Sequence, residues 1–170
     1  MTIDVKNGKS WKPFTFSNII VKDSPLGNYL GGISFGGHAT SEDVFVFDNC
    51  KWINNICNSD YGGGSGLWLV NEKQLMEMKF VNCEFKGNHH TTKGGAFHDG
   101  HSQTISNMKL NFQSCQFIDN TAGTYGGALA IETTGNLVID GCSFTSNTAK
   151  EGGGAIFIHP EYINIISQFS

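Results

Sequence analysis

The chain has 170 residues, 39% of them hydrophobic and 12% aromatic, with only 15% charged and a net charge of -4; this composition fits one domain with a real core and excludes disorder. All eleven basic residues are Lys, so the Arg forks and basic stripe of a nucleic-acid binder are missing. No apolar run approaches the ~20 residues of a membrane helix, and Met1 to Trp11 lacks the apolar centre of a signal peptide, so this segment is not expected to insert into a membrane.

Internal repeats organise everything that follows. A lead-in, residues 1–13, precedes a degenerate copy in which Phe14 and Phe16, then Ile19, Val21 and Ser24, then Ile33 and Phe35 occupy the repeating positions. The second copy is Phe45, Phe47, Cys50, Trp52, Asn55, Leu67 and Leu69, with three extra residues within 58–65. Met78, Phe80, Cys83, Phe85, Asn88 and Phe97 form the third, where Asp99 interrupts the apolar column. The fourth is Leu110, Phe112, Cys115, Phe117, Asn120, Leu129 and Ile131, and the fifth Leu137, Ile139, Cys142, Phe144, Asn147, Ile156 and Ile158. In the tail, 160–170, Tyr162, Ile163, Ile165 and Ile166 read as the start of a further coil. Successive anchors stand 31, 33, 32 and 27 residues apart.

Each copy reads as three short strands of period 2 separated by Gly and Asn corners, and none contains ten residues of helical spacing. The expected fold is all-β, a single-stranded parallel β-helix of about five coils with three short strands per coil. At about 4.8 Å per coil the rod is ~24 Å long. Stacking places identical residues above one another, so the recurring columns are ladders.

Asn18, Asn49 and Asn82, replaced by Ser114 and Gly141, fall at the first corner, where a left-handed backbone is expected. The column Asn55, Asn88, Asn120 and Asn147 is assigned the same role at the next corner, and in both columns stacked Asn amides are expected to hydrogen-bond along the rod. Gly31 with Gly32, Gly94 with Gly95, Gly126 with Gly127, and Gly152 to Gly154 lack the Lys-Ser/Thr of a phosphate loop and read as turns. Ala122, Ala149 and Cys57 are read as small inward residues of a bend.

Cys50, Cys83, Cys115 and Cys142 have no zinc-ribbon spacing and point the same way, so they read as buried free thiols behaving as small apolar residues. Among the histidines, His89 and His90 lie at a corner, His38 and His101 in loops, and His98 and His159 at the third strand. His98, Asp99 and His101 form the densest polar cluster, but alternation sets His98 and Asp99 on opposite faces, so neither metal nor cofactor is expected.

With the coil assigned, the runs Gly94 to Phe97 (Gly-Gly-Ala-Phe), Gly126 to Leu129 (Gly-Gly-Ala-Leu) and Gly153 to Ile156 (Gly-Gly-Ala-Ile), each following a Phe-x-x-Asn, are recognisable. The pairing resembles the repeat of the chlamydial polymorphic outer membrane proteins over roughly 46–159, and more weakly over 14–35. The resemblance implies a right-handed parallel β-helix of the pectin-lyase type, a cell-surface or extracellular location and a role in adhesion. Val21 and Ser24 depart from the pattern, as do Trp52 and the run Gly64 to Leu67.

The function expected is therefore a non-enzymatic segment of a surface or secreted protein, acting in adhesion or as a rigid spacer. A carbohydrate-active enzyme of this fold needs facing carboxylates or a basic proton acceptor, and Asp119, Asp140 and Glu132 do not recur as a facing group. An intracellular scaffold is the other alternative, in keeping with the free thiols. Insertions at 36–44, 70–77 and 100–109 stack on one side of the rod, beside an outward third-strand column containing Trp68, His98 and Phe157. These three are the candidate binding residues, expected to face solvent and to meet a protein or glycan surface ligand. The rest of a longer chain, or a capping partner, is expected to cover the coil ends.

Overall fold

The computed structural model describes residues 2–5, 13–26, 33–37, 43–58, 67–69, 76–99, 109–132, 136–159 and 164–165. Gly31, Gly32, His38, His101, Tyr162, Ile163, Ile166 and most of the three insertions lie outside the described residues.

Alternating apolar residues bounded by corners give only short strands, and their stacking gives four parallel sheets. Strands are numbered in chain order. The first sheet holds β2 (Phe14–Ser17), β6 (Asp43–Asp48), β10 (Met76–Val81), β14 (Lys109–Gln113), β18 (Asn136–Asp140) and β22 (Asn164–Ile165). The second holds β3 (Ile20–Lys22), β7 (Lys51–Ile53), β11 (Glu84–Lys86), β15 (Gln116–Ile118) and β19 (Ser143–Thr145). In the third are β4 (Pro25–Leu26), β8 (Ile56–Cys57), β12 (His89–His90), β16 (Thr121–Ala122) and β20 (Thr148–Ala149). The fourth holds β1 (Thr2–Val5), β5 (Ile33–Gly37), β9 (Leu67–Leu69), β13 (Phe97–His98), β17 (Leu129–Ile131) and β21 (Ile156–Ile158).

The chain is thus a parallel β-solenoid. It has one more sheet than the periodicity predicts, because the bend holding Cys57, Ala122 and Ala149 is itself a two-residue strand in each coil. Two residues are too few for an alternation to be visible in sequence.

Aromatic ladders form the core. In the first sheet Phe16, Phe47, Phe80 and Phe112 stack at 4.8, 5.1 and 4.8 Å. Trp52, Phe85, Phe117 and Phe144 do the same in the second, at 4.7, 4.8 and 4.7 Å with rings within 6° of parallel. The two columns meet edge to face, as Phe80 does with Phe85 at 5.8 Å, and Phe97 closes the interior against Phe112 at 5.5 Å. Each buried ring is worth about 1.5–3 kcal/mol in transfer, with ~0.5–1.5 kcal/mol more per ring pair.

The first corner is left-handed as expected, with φ of 57°, 52°, 53°, 53° and 57° at Asn18, Asn49, Asn82, Ser114 and Gly141. At the second corner the left-handed residue is the one before the Asn column: Asp23, Asn54, Gly87, Asp119 and Ser146. The column itself is not left-handed, a correction to that half of its assignment, while its amides do hydrogen-bond along the rod, Nδ2–H of Asn55, Asn88 and Asn120 donating to Oδ1 of Asn88, Asn120 and Asn147 at 3.0, 2.9 and 2.9 Å. Each Asn Oδ1 accepts the backbone N–H of its counterpart one coil back: Ser24, Asn55, Asn88 and Asn120 donate to Asn55, Asn88, Asn120 and Asn147 at 3.3, 3.1, 3.0 and 3.0 Å. Each Nδ2–H donates to a carbonyl of the preceding coil, those of Val21, Trp52, Phe85 and Phe117. Sharp turning deprives these backbone groups of ladder partners, and the buried amides supply them.

The Cys column is free of disulfides, as expected, and it too is more than apolar filling. Each Sγ–H is shared between two carbonyls at 3.4 Å: Phe16 and Asp48 for Cys50, Phe47 and Val81 for Cys83, Phe80 and Gln113 for Cys115, Phe112 and Asp140 for Cys142. Four weak donors thus add to carbonyls at the first corner, of which those of Asp48, Val81, Gln113 and Asp140 also accept the N–H of Asn18, Asn49, Asn82 and Ser114.

His90 corrects another expectation. Instead of lying on a surface corner it is fully buried, in register with Cys57 and Ala122 on the inward column of the third sheet. Its Nδ1 accepts the Thr92 N–H at 3.0 Å. Burial, aided by the nearby His98 and His89, pushes its pKa down to about 3.

Candidate functional site

The column proposed for binding exists as a register: Ser34, Trp68, His98, Ala130 and Phe157 are successive partners across the fourth sheet. The side chain of Trp68 lies outside the described residues. The other two differ from each other.

His98 does not face solvent; its side chain is only 3% exposed. Its Nε2–H donates to Glu132 Oε2 at 3.1 Å, and the Lys93 ammonium donates to the other carboxylate oxygen. Glu132 follows Ile131 at the end of β17, and its backbone N–H is held at 2.6 Å by the Asp99 carboxylate, turning the chain back toward His98. Ala130, the neighbour of His98 one coil on, offers only a methyl group to the space this occupies. The His98 contact, with Lys93 adding to it, outweighs burial and holds the Glu132 carboxyl down at about 2. Asp99, read in sequence as a break in the inward column, is buried at the strand end where it takes that N–H. Polar groups at this corner therefore fasten one coil to the next.

Phe157 is half-buried and stacks on Tyr125 at 4.7 Å. His159 meets its ring edge at 6.5 Å, and Lys93 Nζ stands 5.9 Å from the Tyr125 centroid. The Tyr125 hydroxyl bonds to the Glu151 carboxylate, which raises the phenol pKa. Lys93, Tyr125 and Phe157, bordered by Glu132 and Glu151, form a mixed aromatic and charged patch. Lys93, Tyr125 and Glu151 were not picked out by periodicity, since they sit in the Gly turns between the third and fourth sheets, where only the glycines recur. The Gly pairs of these turns recur, but the residue before each pair does not: Lys93, Tyr125 and Gly152 share one place, so no signal in the sequence singled them out.

A second surface feature is an open groove of about 490 Å³ over the third sheet, lined by His89, Thr91, Thr121, Gly123, Thr148 and Lys150 among others. In it His89 Nδ1 and Thr121 Oγ1 are 2.6 Å apart. Among the described residues no three His, Cys, Asp or Glu side chains are placed to hold a metal ion.

Fold and site together define a solenoid whose recurring residues are ladder residues. Residues 114–132 and 141–159 match the Chlamydia polymorphic membrane protein repeat, each match running from the first corner through Phe-x-x-Asn and the Gly turn to the fourth-sheet strand. These two coils are of that repeat type, and the two coils before them, with Cys50, Trp52 and Asn55 and with Cys83, Phe85 and Asn88, carry the same columns. No curated protein and no solved structure matches the chain.

Proposed function

We propose that the chain is a non-enzymatic β-helix repeat module of a surface or secreted protein, built on the right-handed pectin-lyase plan and serving adhesion or rigid spacing. One observation carries this reading: the side chains that recur, Cys, Phe and Asn, are consumed by coil-to-coil contacts, and Glu132 ties His98 and Lys93 of one coil to the next while Asp99 holds its N–H. Such a rod holds a surface patch at fixed distance and orientation. Recognition then belongs to the Tyr125 and Phe157 pair, with Trp68 three register positions from Phe157, toward a protein or glycan ligand. The coil ends are covered by the rest of a longer chain or by a capping partner.

Antibody staining of intact and permeabilised source cells tests the location. Staining of intact cells supports the reading, and staining only after permeabilisation moves the rod to an intracellular scaffold, which the five free thiols would suit. For adhesion, Trp68→Ser with Phe157→Ser should abolish attachment of the purified chain to the cells it binds while leaving its melting temperature nearly intact. Unchanged attachment places the contact elsewhere on the rod.

A further inference from the structure

The groove over the third sheet lies between two outward columns. One is His89, Thr121 and Thr148 on β12, β16 and β20, in register from coil to coil. The other stands one residue past each strand, at Thr91, Gly123 and Lys150. The Thr91 and Gly123 N–H groups donate to the Cys57 and His90 carbonyls at 3.1 and 2.8 Å, so the ladder continues through that column. A Cβ at Gly123 would lie 1.6 Å from the Thr91 carbonyl oxygen, so no side chain closes the second wall at its middle. This gap belongs to the fourth coil, whose β16 is paired on both sides, with β12 and with β20. Coils add along the axis, so a further coil lies beside the groove and not over it.

The charge of the groove has one sign. Lys150 is its one charged side chain, exposed and without a carboxylate partner among the described residues. Glu151, its neighbour in the chain, is engaged by the Tyr125 hydroxyl, and no Asp or Glu lines the walls. The remaining polar groups are threonine hydroxyls and His89, whose imidazole is fixed by its 2.6 Å bond to Thr121. A space of about 490 Å³ is far more than a free anion fills, and it falls in the range of ~300–1,000 Å³ typical of small-ligand sites.

We propose that this groove binds an acidic saccharide, its carboxylate at Lys150, its hydroxyls on His89, Thr121 and Thr148, and its ring seated at the gap beside Gly123. The site is on a different sheet from the Tyr125 and Phe157 pair and stands whether or not that pair binds anything. The lone ammonium selects an acid over a neutral sugar, and the row of hydroxyls selects a sugar over a simple carboxylate, because each covered hydroxyl needs a partner.

The folded full chain is titrated in parallel with sodium glucuronate, glucose and sodium acetate at constant ionic strength, with amide shifts followed by heteronuclear NMR. Glucuronate should shift residues 89–91, 121–123 and 148–150 saturably, and glucose and acetate should each bind there about tenfold or more weakly. Lys150→Met should bring glucuronate down to the level of glucose, and Thr121→Val should weaken both sugars while leaving acetate unchanged. Acetate binding as well as glucuronate would reduce the groove to a simple anion site and overturn the proposal. So would glucose binding equally well, the absence of saturable shifts in the groove, shifts confined to Lys93, Tyr125 and Phe157, or undiminished glucuronate binding by Lys150→Met. The titration of the unmutated chain decides by itself if a variant does not fold.

Discussion

At the scale of single residues, the two buried ladders differ in how much a deletion should cost. Asn120 accepts from the Asn88 N–H and side-chain amide at 3.0 and 2.9 Å, and donates to the Phe85 carbonyl at 2.9 Å. Asn120→Ala leaves a buried N–H and a buried carbonyl without partners, so urea denaturation should show a loss of about 3 kcal/mol or more. Cys115→Ala removes a weaker donor and less volume, and the same measurement should give roughly 1–2 kcal/mol. An Asn120 variant no less stable than the Cys115 variant would mean that water replaces the amide.

Two titrations act through single residues. His90 is held neutral down to about pH 3, whereas an ordinary imidazole titrates at 6.5. Below 6.5 the unfolded chain therefore binds a proton that the folded one refuses. Stability is full above pH 6.5 and falls as the pH drops toward 3, by at most about 1.4 kcal/mol per unit. His90→Ala should flatten that limb of the melting temperature against pH. Glu132 has the same sign over a lower window: its depressed pKa stabilises above the ordinary 4.5, a contribution lost as pH falls toward 2. Glu132→Gln should remove this second limb while leaving the first.

At the scale of the element, the corners decide which substitutions a coil accepts. Gly126 has φ of 65°, and a Cβ there would lie 2.1 Å from the Leu129 carbonyl oxygen. Gly141 has φ of 57° with no atom nearer than 3.6 Å, and Asn holds the equivalent place at Asn18, Asn49 and Asn82. Asn49 Nδ2–H already donates to Asn18 Oδ1 at 2.7 Å along that corner. Gly141→Asn should therefore be neutral or stabilising by about 0.5 kcal/mol, while Gly126→Ala should destabilise by more than about 2 kcal/mol. Chemical denaturation of the two variants reads the contrast, and equal losses would show that backbone crowding does not distinguish the corners.

For the whole molecule, each coil contacts only its neighbours, so opening should begin at the ends and be most costly in the middle. Phe85 and Phe117 are fully buried, whereas Phe144, Cys142, Asn147 and Ile156 in the fifth coil are half-buried. Hydrogen exchange should be slowest in 78–88 and 110–120, and faster in 143–158. Uniform protection along the rod would show instead that a cap or further coil closes that end as firmly as the interior.

The sequence alone determined the coil, its period, the identity of the inward columns and the left-handed first corner. Stacking in register forces one side-chain type into each column, so Cys83, Phe85 and Asn88 announce their roles by recurring. Periodicity carries no information about positions that occur once. His90 and Glu132 were therefore misplaced or passed over: one fills a column held by Leu26, Cys57, Ala122 and Ala149 in the other coils, and the other acts by reaching back to His98 in the coil before it. Only the tertiary structure showed that the Asn side chains accept backbone N–H groups at the second corner and that the Cys thiols donate to carbonyls at the first, because which groups a side chain can reach depends on how tightly each coil turns.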